Sequence, residues 1–182
     1  SLLQTQTQGV IRISTSVAFG RRVMAPLVMK FMHMHPGLQI ELNCDDRYVN
    51  LVEQGVDVAV RLGKLADSTL GAAYLGLNPW VLAASPGYLK AHGRPRKPQD
   101  LGRHEALIYS TVQGDERWLL SGTDGRQISV SVRGRLRSNN LSMLLAAARQ
   151  GFGIAALPRY VAHRSLTEGA LTSVLDDWAL PS

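Results

Sequence analysis

The chain has 182 residues, of which 45% are hydrophobic and 19% are charged, so it can bury the core of one large domain or two small lobes. No apolar run reaches the roughly 18 residues that span a bilayer, and the N-terminal SLLQTQTQ lacks the basic start and apolar stretch of a signal peptide. The formal net charge of +6 permits nucleic-acid binding, and the single cysteine, Cys44, excludes an intrachain disulfide framework. We therefore expect a cytoplasmic protein that does not bind a membrane.

The N-terminal part of the sequence predicts a linker, a strand and a long helix. Residues 1–8 are polar and glutamine-rich, which is typical of a linker. Apolar residues alternate over residues 10–14, which predicts a strand, and they recur at helical spacing over residues 19–35. The Pro-Gly pair at 36–37 ends this helix.

The next segments continue the alternation of strands and helices. LQIELNC (38–44) predicts a strand, RYVNLVEQG (47–55) a short amphipathic helix, and VDVAVRLG (56–63) another strand. Three strands separated by two helices are the pattern of a parallel sheet with helical crossovers. The first 63 residues are therefore predicted to be α/β.

The middle of the chain is predicted to contain mostly strands. After a loop over residues 64–70, strands are expected over 72–77 and 80–85. Pro79 separates them, and because proline cannot donate to a strand ladder, it marks a crossing from one lobe to another. The segments that follow are a helix over 85–93, a loop over 95–104, a strand over 105–110 and a hairpin over 118–137 with Asp124-Gly125 as its turn.

The last third of the chain begins with a second polar helix start. Ser138 or Asn139 is expected to cap a helix that Gly151 ends. The helix carries an apolar stripe formed by Leu141, Leu144, Leu145 and Ala148. A buried strand over 153–157, a helix to about residue 167 and a strand over 170–175 follow.

The two polar helix starts are candidate anion sites. The first N–H groups of a helix have no internal partner, and the helix dipole also favours a negative charge there. Ser16 at the first helix, and Ser138, Asn139 and Asn140 at the second, supply further donors for a carboxylate. In open α/β sheets, ligands lie beyond the carboxyl ends of the strands. The alternative is ordinary helix capping, which these residue types perform at most helix starts.

Arg61 lies at the end of the predicted strand VDVAVR (56–61), and in a parallel sheet it is on the same carboxyl-end side as Ser16. A guanidinium there can hold a carboxylate by a bidentate pair. The alternative is a salt bridge to Asp45, Asp46 or Asp67. The sequence does not decide between the two.

Catalytic, metal and nucleic-acid sites have little support in the sequence. His33 and His35 are two residues apart on a predicted helix, so they point to different sides and are not expected to bind metal. No pair of acid, base or nucleophile stands at a recognisable spacing, and we expect no enzyme, no catalytic residue and no cofactor. The basic residues fall in two places without interleaved aromatics, which argues against direct nucleic-acid binding: Arg94, Arg96 and Lys97, and Arg133, Arg135 and Arg137.

The order of segments resembles a known family. GVIRISTSVAFGRRVMAPLVMKFMHMHPGLQIELNCDDRYVNLVEQGVDVAVRLGKLADSTL looks like the start of the effector-binding domain of LysR-type transcriptional regulators. LAASPGYLKAHGRPRKPQDLGRHEAL and AARQGFGIAALPRYVAHRSLTEGALTSVL resemble its middle and end, in the same order. The resemblance covers about residues 9–178 and is closest to the subgroup with FGR after the first strand and RLG after the third.

The resemblance implies a fold and a binding site. The fold is α/β and periplasmic-binding-protein-like (type II), with two α/β lobes joined by two crossing strands. Residues 9–77 and 158–182 would form lobe I, and residues 78–157 would form lobe II. Ala18 replaces a hydroxyl that many relatives carry. The residues implied to contact a small-molecule effector in the cleft between the lobes are Ser16, Val17, Phe19, Arg61, Leu62, Ser138 and Asn139.

The resemblance also implies partners. We expect a small effector, most simply a carboxylate, and a homodimer or higher homo-oligomer that forms through the helix over 19–35. DNA would be bound only through an N-terminal winged helix-turn-helix that this sequence lacks, and the family usually continues past DDWALPS with a strand and a helix. The alternatives are an extracytoplasmic solute-binding protein of the same fold and, with less support, an enzyme on this scaffold.

Overall fold

A computed structural model of the chain describes residues 8–47, 55–63, 70–110 and 116–181. The chain divides into two compact units, unit 1 within residues 1–69 and unit 2 within residues 70–182. Both units combine helices with sheets, as the sequence predicts. No helix in these ranges is long and apolar enough to cross a lipid bilayer.

Unit 1 contains a parallel sheet in the order β2-β1-β3. Its strands are β1 (Gly9–Thr15), β2 (Leu38–Cys44) and β3 (Val58–Ala59). The predicted strands over 10–14 and 38–44 are confirmed. The third is shorter than the predicted 56–63, because the ladder with β1 covers only two residue pairs.

A helical segment follows β1. It consists of helix α1 (Val17–Phe19), a π-helical stretch (Gly20–Met24) and helix α2 (Ala25–Met34). It confirms the predicted helix over 19–35, although it begins two residues earlier. A Cβ atom at Gly20 would collide with the Cys44 sulfur, so the helix start packs directly against the sheet. The predicted helix over 47–55 and loop over 64–70 lie almost wholly outside the described residues.

Unit 2 is built on a mixed five-stranded sheet in the order β10-β4-β9-β5-β8, with a smaller sheet in the order β11-β6-β7. The strands are β4 (Trp80–Ala84), β5 (Glu105–Tyr109), β6 (Arg117–Gly122), β7 (Gln127–Ser131), β8 (Arg133–Ser138), β9 (Ile154–Pro158), β10 (Thr172–Val174) and β11 (Trp178–Ala179). The helices are α3 (Pro86–His92), a 3-10 segment (Pro98–Arg103), α4 (Leu141–Arg149) and α5 (Arg159–Thr167).

The core of unit 2 lies between its two sheets and α3. Leu82, Ile108 and Ile154 of the large sheet pack in one cluster with Leu120 and Val130 of the small one. The predicted apolar stripe of α4 is confirmed in part, because three of its four residues are buried and Leu145 is half-buried. Burial of these side chains is the main source of stability for the unit.

Three predictions about unit 2 are corrected by the structure. Residues 72–77 are not a strand: residues 71–79 have no regular structure, and Tyr74, Leu75 and Leu77 are about four-fifths exposed, so no burial stabilises strand pairing there. The predicted loop over 95–104 contains a 3-10 segment with a buried leucine, Leu101. The hairpin with the Asp124-Gly125 turn ends at residue 131, because β8 pairs with β5 instead.

The division into units differs from the predicted lobe bounds. Residues 158–182 were expected in lobe I, whereas helix α5 and strands β10 and β11 pack within unit 2. The reason is strand pairing, since β10 pairs with β4 and β11 pairs with β6. The bounds of the two lobes, 9–77 with 158–182 and 78–157, stay a prediction.

The pairing of β8 with β5 depends on a glycine. The register shifts so that Gly134 and Arg135 of β8 stand opposite the single residue Ala106 of β5, which is a β-bulge. A Cβ atom at Gly134 would collide with the carbonyl oxygen of Ala106. Only glycine therefore permits the two backbones to approach this closely.

We predict that Gly134→Ala destabilises the protein by about 1–3 kcal/mol, the range found for overpacked cores. The measurement is the free energy of unfolding from urea denaturation. Gly87→Ala is the matched control, because a Cβ there meets nothing within 4 Å and alanine is favoured in a helix. Equal stability of the two variants would contradict the close approach of β5 and β8.

Candidate functional site

The carboxyl end of β1 carries the buried hydroxyl groups of unit 1. Ser14 is 2% exposed and Thr15 is fully buried, because β1 is the central strand and the helix start covers its end. The Ser14 Oγ accepts a hydrogen bond from the Arg61 Nη2 at 2.9 Å. The Thr15 Oγ1 and Ser16 Oγ are buried and have no hydrogen-bond partner among the described residues. A buried hydroxyl without a partner costs about 1–3 kcal/mol.

Arg61 lies two residues beyond β3, followed by the half-buried Leu62. Its guanidinium binds Ser14, and none of the ion pairs between described residues includes it. Of its predicted carboxylate partners, Asp45 pairs with Arg47 at 2.8 Å, and Asp67 lies outside the described residues. The guanidinium therefore retains donors for another acceptor.

The first helix start is capped by an aspartate from the loop that follows β2. The Val17 N–H donates to the Asp46 Oδ1 at 2.9 Å, whereas the Ser16 side chain makes no capping hydrogen bond. The side chain of Ser16 therefore does not cap the helix. Ala18 is buried, and Phe19 is half-buried. The sequence indicated Asp46 as an alternative partner of Arg61 and did not predict the cap, because the cap depends on β2 ending beside β1.

Two carboxylates, Asp45 and Asp46, follow β2 at the same end of the sheet as these hydroxyls. The Arg47 guanidinium donates to both oxygens of Asp45 and holds the pKa of that carboxyl at about 2, and the Arg61 charge also lowers it. Burial, and then the charge of Asp46, raises the pKa of the Cys44 thiol. The charge of Asp45 is thus balanced by that of Arg47, whereas the negative charge of Asp46 acts on the Cys44 thiol at the end of β2.

The second polar helix start is in unit 2, and two of its N–H groups donate to the side chain of its own N-cap residue. Asn140 is the N-cap of α4, and its Oδ1 accepts from the N–H groups of Ser142 and Met143 at 2.9 and 3.2 Å. The prediction that Ser138 or Asn139 caps this helix is wrong, because Ser138 instead accepts from the Asn140 N–H at 3.0 Å. Asn139 is exposed. Its side chain remains available, unlike that of Asn140.

The predicted site residues therefore fall into two groups. Ser16, Val17, Phe19, Arg61 and Leu62 belong to unit 1, at or just past the carboxyl ends of its strands. Ser138 and Asn139 belong to unit 2, at the end of β8. In unit 1, buried hydroxyls, a guanidinium and a helix start lie at the carboxyl ends of the strands.

Within the described ranges, no three histidine, cysteine, aspartate or glutamate side chains group to hold a metal ion. The His33 Nδ1–H donates to the Met29 carbonyl oxygen at 2.8 Å, within its own helix. His35 contacts the ring of Phe31. Each of these two histidine side chains therefore contacts a residue of α2.

Unit 2 carries two surface cavities that the sequence did not predict. One of about 620 Å³ lies between the start of α3 and the end of α4, and Ser85, His92 and Arg149 line it. The other, of about 490 Å³, is mainly apolar, and Leu136, Met143 and Phe152 are among its lining residues. Both are formed by residues from separate elements, which sequence periodicity cannot bring together.

Comparison with protein families identifies close relatives of this chain. A family model described as the LysR substrate binding domain matches residues 4–182. An uncharacterized HTH-type transcriptional regulator of Haemophilus influenzae is 34% identical over 176 residues, 97% of this chain and 61% of the relative. The probable HTH-type transcriptional regulator LtrA of Klebsiella pneumoniae is 33% identical over 175 residues, 96% of this chain and 56% of the relative. The chain thus spans little more than half the length of these relatives.

Solved structures share the fold. The full-length virulence activator AphB of Vibrio cholerae, described as a member of the LTTR family, superposes with a TM-score of 0.85 at 31% identity, covering 96% of this chain and 59% of that one. The regulatory domain of CrgA from Neisseria meningitidis superposes with a TM-score of 0.81 at 27% identity, covering 96% of this chain and 87% of that one. The similarity to CrgA covers most of a regulatory domain.

We predict that Asn140→Ala destabilises the protein by about 1 kcal/mol, because it removes the acceptor of two N–H groups at the start of α4. Asn139→Ala is the matched control and should change stability by less than about 0.5 kcal/mol, since its side chain is exposed. Urea denaturation measures both. A larger loss for Asn139→Ala would mean that α4 is capped by a different residue.

Proposed function

The chain belongs to the LysR substrate-binding domain family and has its type II periplasmic-binding-protein-like fold, and from this membership we propose the function of the protein. It is the inducer-sensing regulatory domain of a cytoplasmic LysR-type transcriptional regulator. It binds a small carboxylate in the cleft between the lobes and acts on a DNA-binding domain elsewhere in the full-length protein. It performs no reaction of its own.

The observation that carries the carboxylate proposal is the pair of unpartnered hydroxyls at the end of β1. The Thr15 Oγ1 and Ser16 Oγ can each donate to a ligand oxygen, and Arg61 can pair with the charge of the same ligand. Binding would supply the partners that the described residues do not provide, so the cost of burying these hydroxyls would be offset in the complex. A helix cap accounts for neither group, because Asp46 supplies that cap.

The mechanism we propose is a population shift between two arrangements of the lobes. A ligand that contacts both lobes stabilises the arrangement in which the cleft is closed, by as much as its affinities for the two arrangements differ. In a dimer this change would reposition the attached winged helix-turn-helix domains on DNA. Ser138 and Asn139 are the proposed contacts from the second lobe.

The partner we propose for α2 is a second copy of the chain. This helix has no buried residue, and Leu27, Phe31 and Met34 follow one another at positions i, i+4 and i+7, so they share one face. More than half of the Leu27 and Met34 side chains is exposed to solvent. An apolar helix face of this kind is typical of a protein interface.

We predict that small carboxylates raise the melting temperature of the domain in a concentration-dependent manner, through mass action. Arg61→Gln and Ser16→Ala should both lose this shift, because they remove the guanidinium and a buried donor. A thermal-shift screen against aromatic and aliphatic carboxylates measures it, with Arg133→Gln as an exposed control. An equal shift in Arg61→Gln and the unmodified protein would overturn the proposed site.

We predict that Leu27→Glu combined with Phe31→Glu weakens dimerisation more than about tenfold, since central apolar side chains contribute about 2 kcal/mol each. Lys30→Glu, on the same helix, is the control for a change of charge alone. Analytical ultracentrifugation measures the dissociation constant. A monomer at micromolar concentration before any substitution would contradict the proposed interface.

A further inference from the structure

Asp46 occupies a position in the candidate site that an acidic ligand would otherwise take. Its Oδ1 accepts the hydrogen bond of the Val17 N–H at 2.9 Å, at the start of the helical segment. This N–H is one of the donors that make a helix start attractive to a carboxylate. An acidic effector must therefore bind beside a fixed carboxylate.

The charge of Asp46 is also left uncompensated. Asp45 next to it pairs with Arg47, whereas no ion pair between described residues includes Asp46. The side chain is exposed, so its second oxygen can accept a hydrogen bond from a bound molecule.

The positive partner of the site, Arg61, contacts the chain at the same end of β1 as Asp46 does. Arg61 binds the Ser14 side chain, and Asp46 binds the Val17 backbone, three residues further. Three residues of extended chain span at most about 10 Å. The backbone positions that anchor the two charged groups therefore lie at most about 10 Å apart, so both groups are within the reach of one small molecule.

We propose that Asp46 determines the specificity of this site, selecting carboxylates that carry a hydroxyl or ammonium group close to the acid. The inference rests on the proposed carboxylate function. Arg61 would pair with the ligand carboxylate, and Asp46 would accept a hydrogen bond from the neighbouring donor. An acid without such a donor would meet the charge of Asp46 without compensation, and repulsion of this kind is a common basis of discrimination.

The experiment compares acids that differ only in that donor. The probes are benzoate, 2-hydroxybenzoate and 2-aminobenzoate, and, as an aliphatic series, propionate, lactate and alanine. Each is titrated against the 182-residue chain, and the concentration for half-maximal thermal stabilisation is measured. The variants are Asp46→Asn, which keeps an oxygen for the Val17 N–H, and Arg61→Gln. Glu41→Gln is the control. Glu41 also belongs to the β2 segment, but its negative charge is paired with Arg12 of β1.

In the unmodified protein, the substituted acids of at least one series should bind more tightly than the plain acid. Asp46→Asn should reduce that preference by about fivefold, the range for a single solvent-exposed charge contact, while Glu41→Gln leaves it unchanged. If binding is lost in Arg61→Gln but the preference survives in Asp46→Asn, the role of Asp46 is overturned and the carboxylate site stands. If no probe binds, or if Arg61→Gln binds all of them normally, the carboxylate site fails and the role of Asp46 fails with it.

Discussion

Parallel pairing of β1 with both β2 and β3 is the constraint on which the candidate site depends. Parallel strands bring their carboxyl ends to one edge of a sheet, so residues far apart in sequence meet there. Ser14 is the penultimate residue of the central strand, Asp46 follows β2, and Arg61 follows β3. An antiparallel neighbour would place its other end at this edge, and the guanidinium and the carboxylate would be separated by the length of a strand.

The same constraint explains why the hydroxyls are buried without partners. β1 has a strand on each side, and Gly20 lets the helix start approach the ends of β1 and β2 closely. Water is thereby excluded from Thr15, yet nothing within the described part of unit 1 accepts its hydroxyl hydrogen. Buried polar groups are normally satisfied, and exceptions concentrate at functional sites. At the start of α4, by contrast, the Asn140 side chain accepts hydrogen bonds from two N–H groups of the helix.

In unit 2, the large sheet depends on the close approach of the β8 backbone to the β5 backbone at Gly134. Gly134 allows β8 to bulge against β5, which makes β8 the outer strand of the large sheet. Arg133, Arg135 and Arg137 of β8 are exposed, and Arg137 pairs with Glu116. The basic character of this segment is thus that of a solvated edge strand, for which charged side chains discourage pairing with other chains.

The sequence by itself determined the family, the α/β class and most elements, because strand and helix periodicities are local and strong in segments such as 38–44 and 141–149. It also indicated Ser16 and Arg61 as polar groups at strand ends. Only the tertiary structure decided that Asp46 caps the first helix, that Asn140 caps α4, that residues 72–77 form no strand, and that β10 and β11 pair within unit 2. The Asn140 cap is local, but Ser138, Asn139 and Asn140 are all of a capping residue type, so the sequence did not choose among them. The others depend on which distant segments meet, and local periodicity carries no information about that.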